Sequence, residues 1–250
     1  MLLEDLGDMS LWDRVREAPK EDVVKWYRKA IDELLTLQVR GTWARDDSCM
    51  AFQQTFDGQL YLWELAHFTQ YGLEQGDRGS LPDTERRVLD TAFEYIAEHL
   101  AGQPKVLSHR DFHSWNLMVH DGEVAVIDFQ DALLAPRQYD LASLLNDRET
   151  DRVITVALEE RLIDYYLERT EALGEPQPTR DSFWETYLMS ALQRDLKVVG
   201  RFRYLDLVKG KPAYKRFVPP TLARIGRNLQ RMPVLERLRV VLAGHFKELL

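Results

Sequence analysis

The sequence predicts an α+β fold that is mostly α-helical and organised around one small β-hairpin. Three observations predict it. Two short apolar-rich runs, 116–120 and 123–128, flank Asp121-Gly122. Asp-Gly in that setting is a strong two-residue hairpin signal, because both central residues accept positive φ. Elsewhere apolar residues recur three and four apart over long stretches, the period of one helix face. The 250 residues are 45% hydrophobic and 30% charged, the balance of an ordinary globular chain with ample apolar matter for a core.

The elements follow in order. Ser10 is expected to cap a short helix over 10–17. Residues 21–38 form a helix in which Val23, Tyr27, Ala30, Ile31, Leu34 and Leu35 mark the buried face, with Trp26 either partly exposed or packed at the seam. Residues 41–54 read as irregular, anchored by Trp43 and Phe52. Residues 60–71 are helical, with Leu60, Glu64, Phe68 and Tyr71 along one side. After a glycine-rich connector, Pro82 suits the first turn of a helix to Leu100 that Gly102 stops. Lys105–Ser108 is a short strand leading into the hairpin region. Beyond the hairpin come helices over 138–146 and 153–173, a turn at 174–179, and a helix or broken pair over 181–205 with Gly200 at the break. Two closing helices cover 214–229 and 234–249.

Composition narrows the function. A net charge of −8 with no offsetting basic tract speaks against nucleic acid as a partner. No apolar run reaches membrane-spanning length and no secretory leader pattern appears, so the expectation is a cytoplasmic protein with no membrane partner. Cys49 is the single cysteine, so no intrachain disulfide forms, as suits a reducing compartment.

The chemistry is concentrated in residues 107–131, LSHRDFHSWNLMVHDGEVAVIDFQD. His109-Arg110-Asp111 is followed five residues later by Asn116, and Asp128 ends the second apolar run. Phosphoryl transfer from ATP needs this set: a carboxylate to orient the acceptor hydroxyl and take its proton, and an amide and a second carboxylate to hold Mg²⁺ on the phosphates. The hairpin brings Asn116, at the start of one strand, beside Asp128, at the end of the other. Two oxygens then converge on one hard cation. Asp111 is therefore the expected base, and Asn116 and Asp128 the metal ligands. His109 is expected to hold the loop by packing. His113 either touches substrate or caps the turn, and Asp140 is expected to hold the loop by accepting backbone hydrogen bonds. Met118 and Ile127 are either the apolar floor under adenine or plain core.

HRDFHSWNLMV and VIDFQDALLAPRQYDLASLL resemble the aminoglycoside phosphotransferase and choline kinase superfamily, which shares the protein-kinase-like fold. Within it the chain is similar to bacterial kinases that phosphorylate the anomeric hydroxyl of N-acetylmuramate and N-acetylglucosamine in cell-wall recycling. Residues 1–8, MLLEDLGD, resemble that branch's hinge segment, residues 60–71 its helix carrying Glu64-Leu65, and residues 192–205 its late helix. The resemblance implies ATP and Mg²⁺ as cofactors and a sugar as substrate. It implies adenine contacts from the backbone near Glu4 and Leu6, and a place for Glu64 and Arg194 near the acceptor. The residues themselves leave Glu64 open as a solvated helix position and read Arg194 as an exposed arginine. Trp115 stands where the branch carries a basic residue, and Ala135 where a glycine is common.

The resemblance covers the hinge, 1–8, and a C-terminal kinase lobe, 9–250, whose hairpin carries the metal site. No G-x-G-x-x-G occurs, and Lys25, which follows two valines, lies in a helical pattern. The loop and lysine that grip phosphates in an N-terminal lobe thus have no counterpart here. Three accounts stay open: a fragment of a longer kinase, half of a split enzyme, or a natural truncation kept as a sugar-binding or regulatory module. An aminoglycoside or choline-like acceptor is equally compatible with the core motif. A bare lobe face would be covered by a separate N-lobe chain or a homodimer, or would leave the chain poorly soluble.

Overall fold

The computed structural model describes residues 4–75 and 79–249. Met1–Leu3 of the hinge segment lie outside them. The helices are α1 (Leu11–Val15), α2 (Lys20–Leu35), α3 (Met50–Gln53), α4 (Gly58–His67) and α5 (Asp83–Ala101). They continue with α6 (Arg137–Leu145), α7 (Val156–Ala172), α8 (Arg180–Leu207), α9 (Val218–Gln230) and α10 (Glu236–His245). Among the described residues four short strands pair antiparallel in two ribbons: β1 (Lys105–Ser108) with β4 (Leu133–Pro136), and β2 (Leu117–His120) with β3 (Glu123–Val126). No helix among the described residues is long and apolar enough to cross a membrane.

The chain divides into two compact units. One comprises residues 1–55 and 104–183; the other comprises 56–103 and 184–250.

The first unit holds the ribbons. α2 buries Val23, Tyr27, Ala30, Ile31 and Leu34 at 3% exposure or less, as its 3–4 spacing requires. Trp26 is buried as well, with the Arg14 and Lys29 cations 5.4 and 5.6 Å from its ring centroid; of its two expected settings it takes the packed one, where α1 meets α2. Ser10 caps α1 through Oγ, which accepts from Asp13 N at 3.0 Å. α2 runs on through a π-turn over Thr36–Gly41. There Gly41 makes the close contact, since a Cβ on it would sit 2.9 Å from Leu107 Cδ2. Trp43, expected as an anchor, is 68% exposed instead. In the hairpin Asp121 has φ 48° and Gly122 φ 80°, the left-handed pair that a tight two-residue turn demands. Lys29 Nζ donates to Gly122 O and lies 2.7 Å from Glu123 Oε1, fastening the turn to α2.

The second unit is helical. α4 continues into a π-turn over Phe68–Glu74. α8 is one unbroken helix through Gly200. A Cβ there would lie 2.8 Å from Phe68 Cα and 2.9 Å from His67 O, so the glycine marks a close backbone approach and not a helix break. Asp195 and Arg224 form a fully buried bidentate pair between α8 and α9, Nε to Oδ2 at 2.9 Å and Nη2 to Oδ1 at 2.7 Å.

Candidate active site

Asp140 organises the site. It sits in the first turn of α6 with no exposed surface. Its carboxylate accepts from Ser108 Oγ at 2.9 Å, His109 N at 2.7 Å and Arg110 N at 3.0 Å. Three donors on one ionised group give strong, short bonds. They fix the end of β1 and the start of the loop that carries Asp111. Arg110 is held at φ 75°, a left-handed conformation that costs a non-glycine residue about 1–2 kcal/mol and turns the chain sharply before Asp111.

From Asp111 the loop closes on itself. Asp111 O accepts from His113 N at 3.0 Å and from Asn116 Nδ2 at 3.1 Å; Asn116 N donates to His113 O at 2.9 Å. On its other side Asn116 O accepts from Ile127 N at 3.1 Å. His109, 1% exposed, reaches the same strand end, with Nε2 2.7 Å from Ile127 O and its ring edge-on to Phe112 at 5.9 Å. Asn116 is thus tied to Asp111 on one side and to the residue before Asp128 on the other. Asp128 is exposed, at φ 64° and ψ 40°, and heads a short turn over Phe129–Asp131. Among the described residues only Arg110, Asp121 and Asp128 are non-glycines at positive φ. Asp121 belongs to the hairpin turn, so the other two place backbone strain at the site, where function concentrates it.

The donor set suits a hard cation. The Asn116 amide nitrogen is engaged, which leaves its Oδ1 as the acceptor, and Asp128 supplies a carboxylate. Mg²⁺ characteristically takes one or two protein oxygens and fills its shell with water and phosphate oxygens. Among the described residues no group of three His, Cys, Asp or Glu assembles a metal cage, and the Mg²⁺ pattern requires none.

The other expected residues are distributed as follows. By register Met118 opposes Ala125, and Ile127 follows on the same face; both are half-buried, while Leu117 and Val124 on the other face are buried. Glu4 is exposed and Leu6 half-buried in the segment that runs on to Met9, whose carbonyl accepts from Val119 N at 2.8 Å. His113 is 9% exposed, with Nε2 3.3 Å from Arg148 Nη2. Glu64 and Arg194 belong to the second unit. Glu64 is no solvated position: at 1% exposure it accepts from Gln193 Nε2 at 2.8 Å and pairs with Lys197 Nζ at 2.9 Å. Arg194 is buried too, at 6%, because α8 is packed around most of its circumference.

Residue-by-residue reading did not anticipate Arg148. Its guanidinium lies 5.4 Å from the Trp115 ring centroid, and Trp115 in turn stacks on Trp12 at 5.8 Å. A cation thus stands beside Trp115, where the resembled branch carries its own basic residue. Nothing in the spacing signals this, because 33 positions separate the two. Ala135, the other departure, is fully buried opposite Val106 in the β1–β4 ribbon, which accommodates its methyl group.

The profile of the phosphotransferase enzyme family matches residues 1–181. The chain belongs to the phosphotransferase enzyme family. A Neisseria meningitidis serogroup B protein named N-acetylmuramate/N-acetylglucosamine kinase is 31% identical over 249 residues, which are 98% of this chain and 72% of that protein. A Pseudomonas putida protein of the same name is 28% identical, covering 97% and 68%. Membership and these relatives make the chain a small-molecule kinase by family. A choline/ethanolamine kinase family protein from Mesorhizobium loti superposes with a TM-score of 0.58 at 14% identity, over 92% of this chain and 67% of that one. That likeness shows the fold: mostly helical with small antiparallel ribbons, as this family and the protein kinases have it.

Proposed function

We propose that this phosphotransferase transfers the γ-phosphoryl group of ATP to the anomeric hydroxyl of N-acetylmuramate or N-acetylglucosamine. One observation carries the reading: Asn116 bonds to the Asp111 carbonyl on one side and to the strand end before Asp128 on the other, so the three motif residues form one braced unit. The names of the amino-sugar kinase relatives supply the acceptor.

In this reading Asp111 orients the acceptor hydroxyl and receives its proton. A loose transition state asks more of position than of basicity, and the Asp140 bonds supply position. Asn116 Oδ1 and the Asp128 carboxylate hold Mg²⁺, which when bound neutralises charge on the phosphates. Met118 and Ile127 form the apolar floor for adenine, with the backbone near Glu4 and Leu6 along its edge, so that residues 1–8 act as the hinge of a lobe formed by 9–250. His113 borders the acceptor. Glu64 and Arg194 are assigned to the acceptor on the family resemblance. The setting is cytoplasmic cell-wall recycling.

Mass spectrometry tests this with Mg-ATP and a panel of N-acetylmuramate, N-acetylglucosamine, an aminoglycoside and choline. The chain is assayed alone and with the uncovered remainder of the Neisseria relative supplied as a separate polypeptide. A sugar 1-phosphate formed by the unmutated chain, and reduced by orders of magnitude in Asp111→Asn, supports the reading. Product on an aminoglycoside or choline alone overturns the acceptor. Turnover unaffected by Asp111→Asn overturns the mechanism, and no product in either format overturns catalysis in favour of a sugar-binding module.

A further inference from the structure

The groove between α5 and the start of α10 has the chemistry of an anion site beside an apolar floor. Arg87, Thr91 and Tyr95 line it from α5 at i, i+4 spacing, and Arg237 lines it from the opposite wall. Residues four apart share a helix face, so α5 presents one continuous stripe here. The floor is apolar: Ala92, Leu235 and Leu238 are exposed at 8%, 3% and 0%. The cavity measures about 390 Å³, within the range of sites that enclose small molecules.

The charge pattern singles this groove out. The chain has 41 acidic and 33 basic residues, so a cation readily finds a carboxylate. Arg87 and Arg237 have no hydrogen-bond or ion-pair partner among the described residues. Asp83, one turn before Arg87, does not line the groove, and the other nearby carboxylates are engaged or line a different one. Glu85 meets His245 Nε2 at 2.7 Å. Glu236 accepts two bonds from Arg239, at 2.8 and 2.7 Å. Asp90 and Glu94 line a different groove on α5, together with the Arg86–Glu74 pair. Two unpaired guanidiniums therefore border one cavity that no carboxylate lines, over a floor that favours hydrocarbon. Guanidinium recognises carboxylate and phosphate through its planar fork of donors.

We propose that this groove binds a small organic anion, a carboxylate or phosphate carried on an apolar or aromatic group. Arg87 and Arg237 hold the anion, and the Tyr95 ring with the Ala92–Leu235–Leu238 floor receives the apolar part. The site is separate from the phosphotransfer machinery, because none of its residues has a role in that reading, and its test involves no turnover.

The experiment is titration of the ¹⁵N-labelled chain with phenyl phosphate, phenylacetate, inorganic phosphate and 2-phenylethanol, following the amide signals of Tyr95 and Val234. The expected result is saturable binding of phenyl phosphate or phenylacetate, the stronger of the two naming the anion. Binding should weaken about tenfold in each of Arg87→Ala and Arg237→Ala, the usual worth of a charged hydrogen bond. Inorganic phosphate and 2-phenylethanol, each with half of the chemistry, should bind at least about tenfold more weakly. Arg87→Lys should recover part of the loss. Circular dichroism checks the fold of each variant, and both arginines are exposed. The proposal is overturned if 2-phenylethanol binds as tightly as either anion, if both alanine variants keep the parental affinity, or if neither anion shifts these signals at about 5 mM, where even a millimolar site would be mostly filled.

Discussion

Asp140→Asn removes one charge and changes almost no volume, so its effect reads out the carboxylate alone. In the parent three donors converge on it at 2.7–3.0 Å with no exposed surface. Hydrogen bonds to a charged group contribute about 1.5–3 kcal/mol each. Asparagine keeps one acceptor oxygen and turns an NH₂ toward donors on the other side. If its oxygen faces Ser108 and His109, the Arg110 N–H keeps only the longer bond to Ser108 Oγ at 3.3 Å and meets the new NH₂; if it faces Arg110, two donors are stranded. Either way the loss is about 3–5 kcal/mol. For a chain of this length that lowers Tm by roughly 6–20 °C. Ser108→Ala, which removes one donor to Asp140 and the longer 3.3 Å acceptor of Arg110 N, should cost only about 1 kcal/mol. Scanning calorimetry gives both values, and limited proteolysis should show the 108–116 loop cut faster in Asp140→Asn. An Asp140→Asn variant melting within about 1 °C of the parent, or below Ser108→Ala in its effect, would refute the claim that this carboxylate holds the loop.

Three further outcomes follow from the same structure. Asp128→Asn should be tolerated in stability to within about 0.5 kcal/mol, because asparagine accepts the left-handed conformation, whereas Asp128→Val at φ 64° should cost about 2 kcal/mol by denaturant titration. Gly200→Ala should destabilise by about 1–3 kcal/mol despite the better helix propensity of alanine, since the new methyl would meet the Phe68 and His67 backbone below 3.0 Å; an unchanged or raised Tm would contradict the close approach. Burial pushes the Lys105 amine down to about 8, so between pH 8 and its unfolded value near 10.5 the unfolded chain binds more protons and this residue's contribution to stability rises with pH. Lys105→Met should therefore raise stability at pH 7.5 by about 1 kcal/mol, a figure discounted for the half-exposed side chain, and flatten the difference between urea midpoints at pH 7.5 and 9.5.

The sequence by itself determined the parts whose cause is local. Asp121-Gly122 dictates the hairpin because few other pairs accept two successive positive φ values, and that turn fixes the register that sets Asn116 opposite Ile127. The helical periods of α2, α5 and α7 were legible because a buried stripe needs apolar residues three and four apart. Asp140 was legible as well: a carboxylate opening a helix after a catalytic loop has backbone N–H groups within reach. The spacing of Asp111, Asn116 and Asp128 is local too, and the fold ties Asn116 to the Asp111 carbonyl and to the strand end before Asp128.

What only the tertiary structure decided depends on groups far apart in the chain. β4 pairs with β1 across 24 intervening positions or more, and its short apolar run ending in proline gives no period to read. Trp26, open to either setting, is packed, and Trp43, the expected anchor, is exposed, because burial of a single aromatic depends on which element lands on it: α1 meets α2 at Trp26, and Gly41 takes the tight contact near Trp43. Gly200 looks like a helix breaker in one dimension and is a contact point in three, since helix propensity yields to the need for two backbones to approach within van der Waals distance. Glu64 and Arg194 are charged and yet buried because α8 brings Lys197 and Gln193 to the one and dense packing to the other. The Arg148–Trp115–Trp12 stack and the two unpaired arginines of the α5–α10 groove have no sequence signature at all. Charge pairing and ring stacking act through space over a few ångströms, and chain order does not record which side chains come that close.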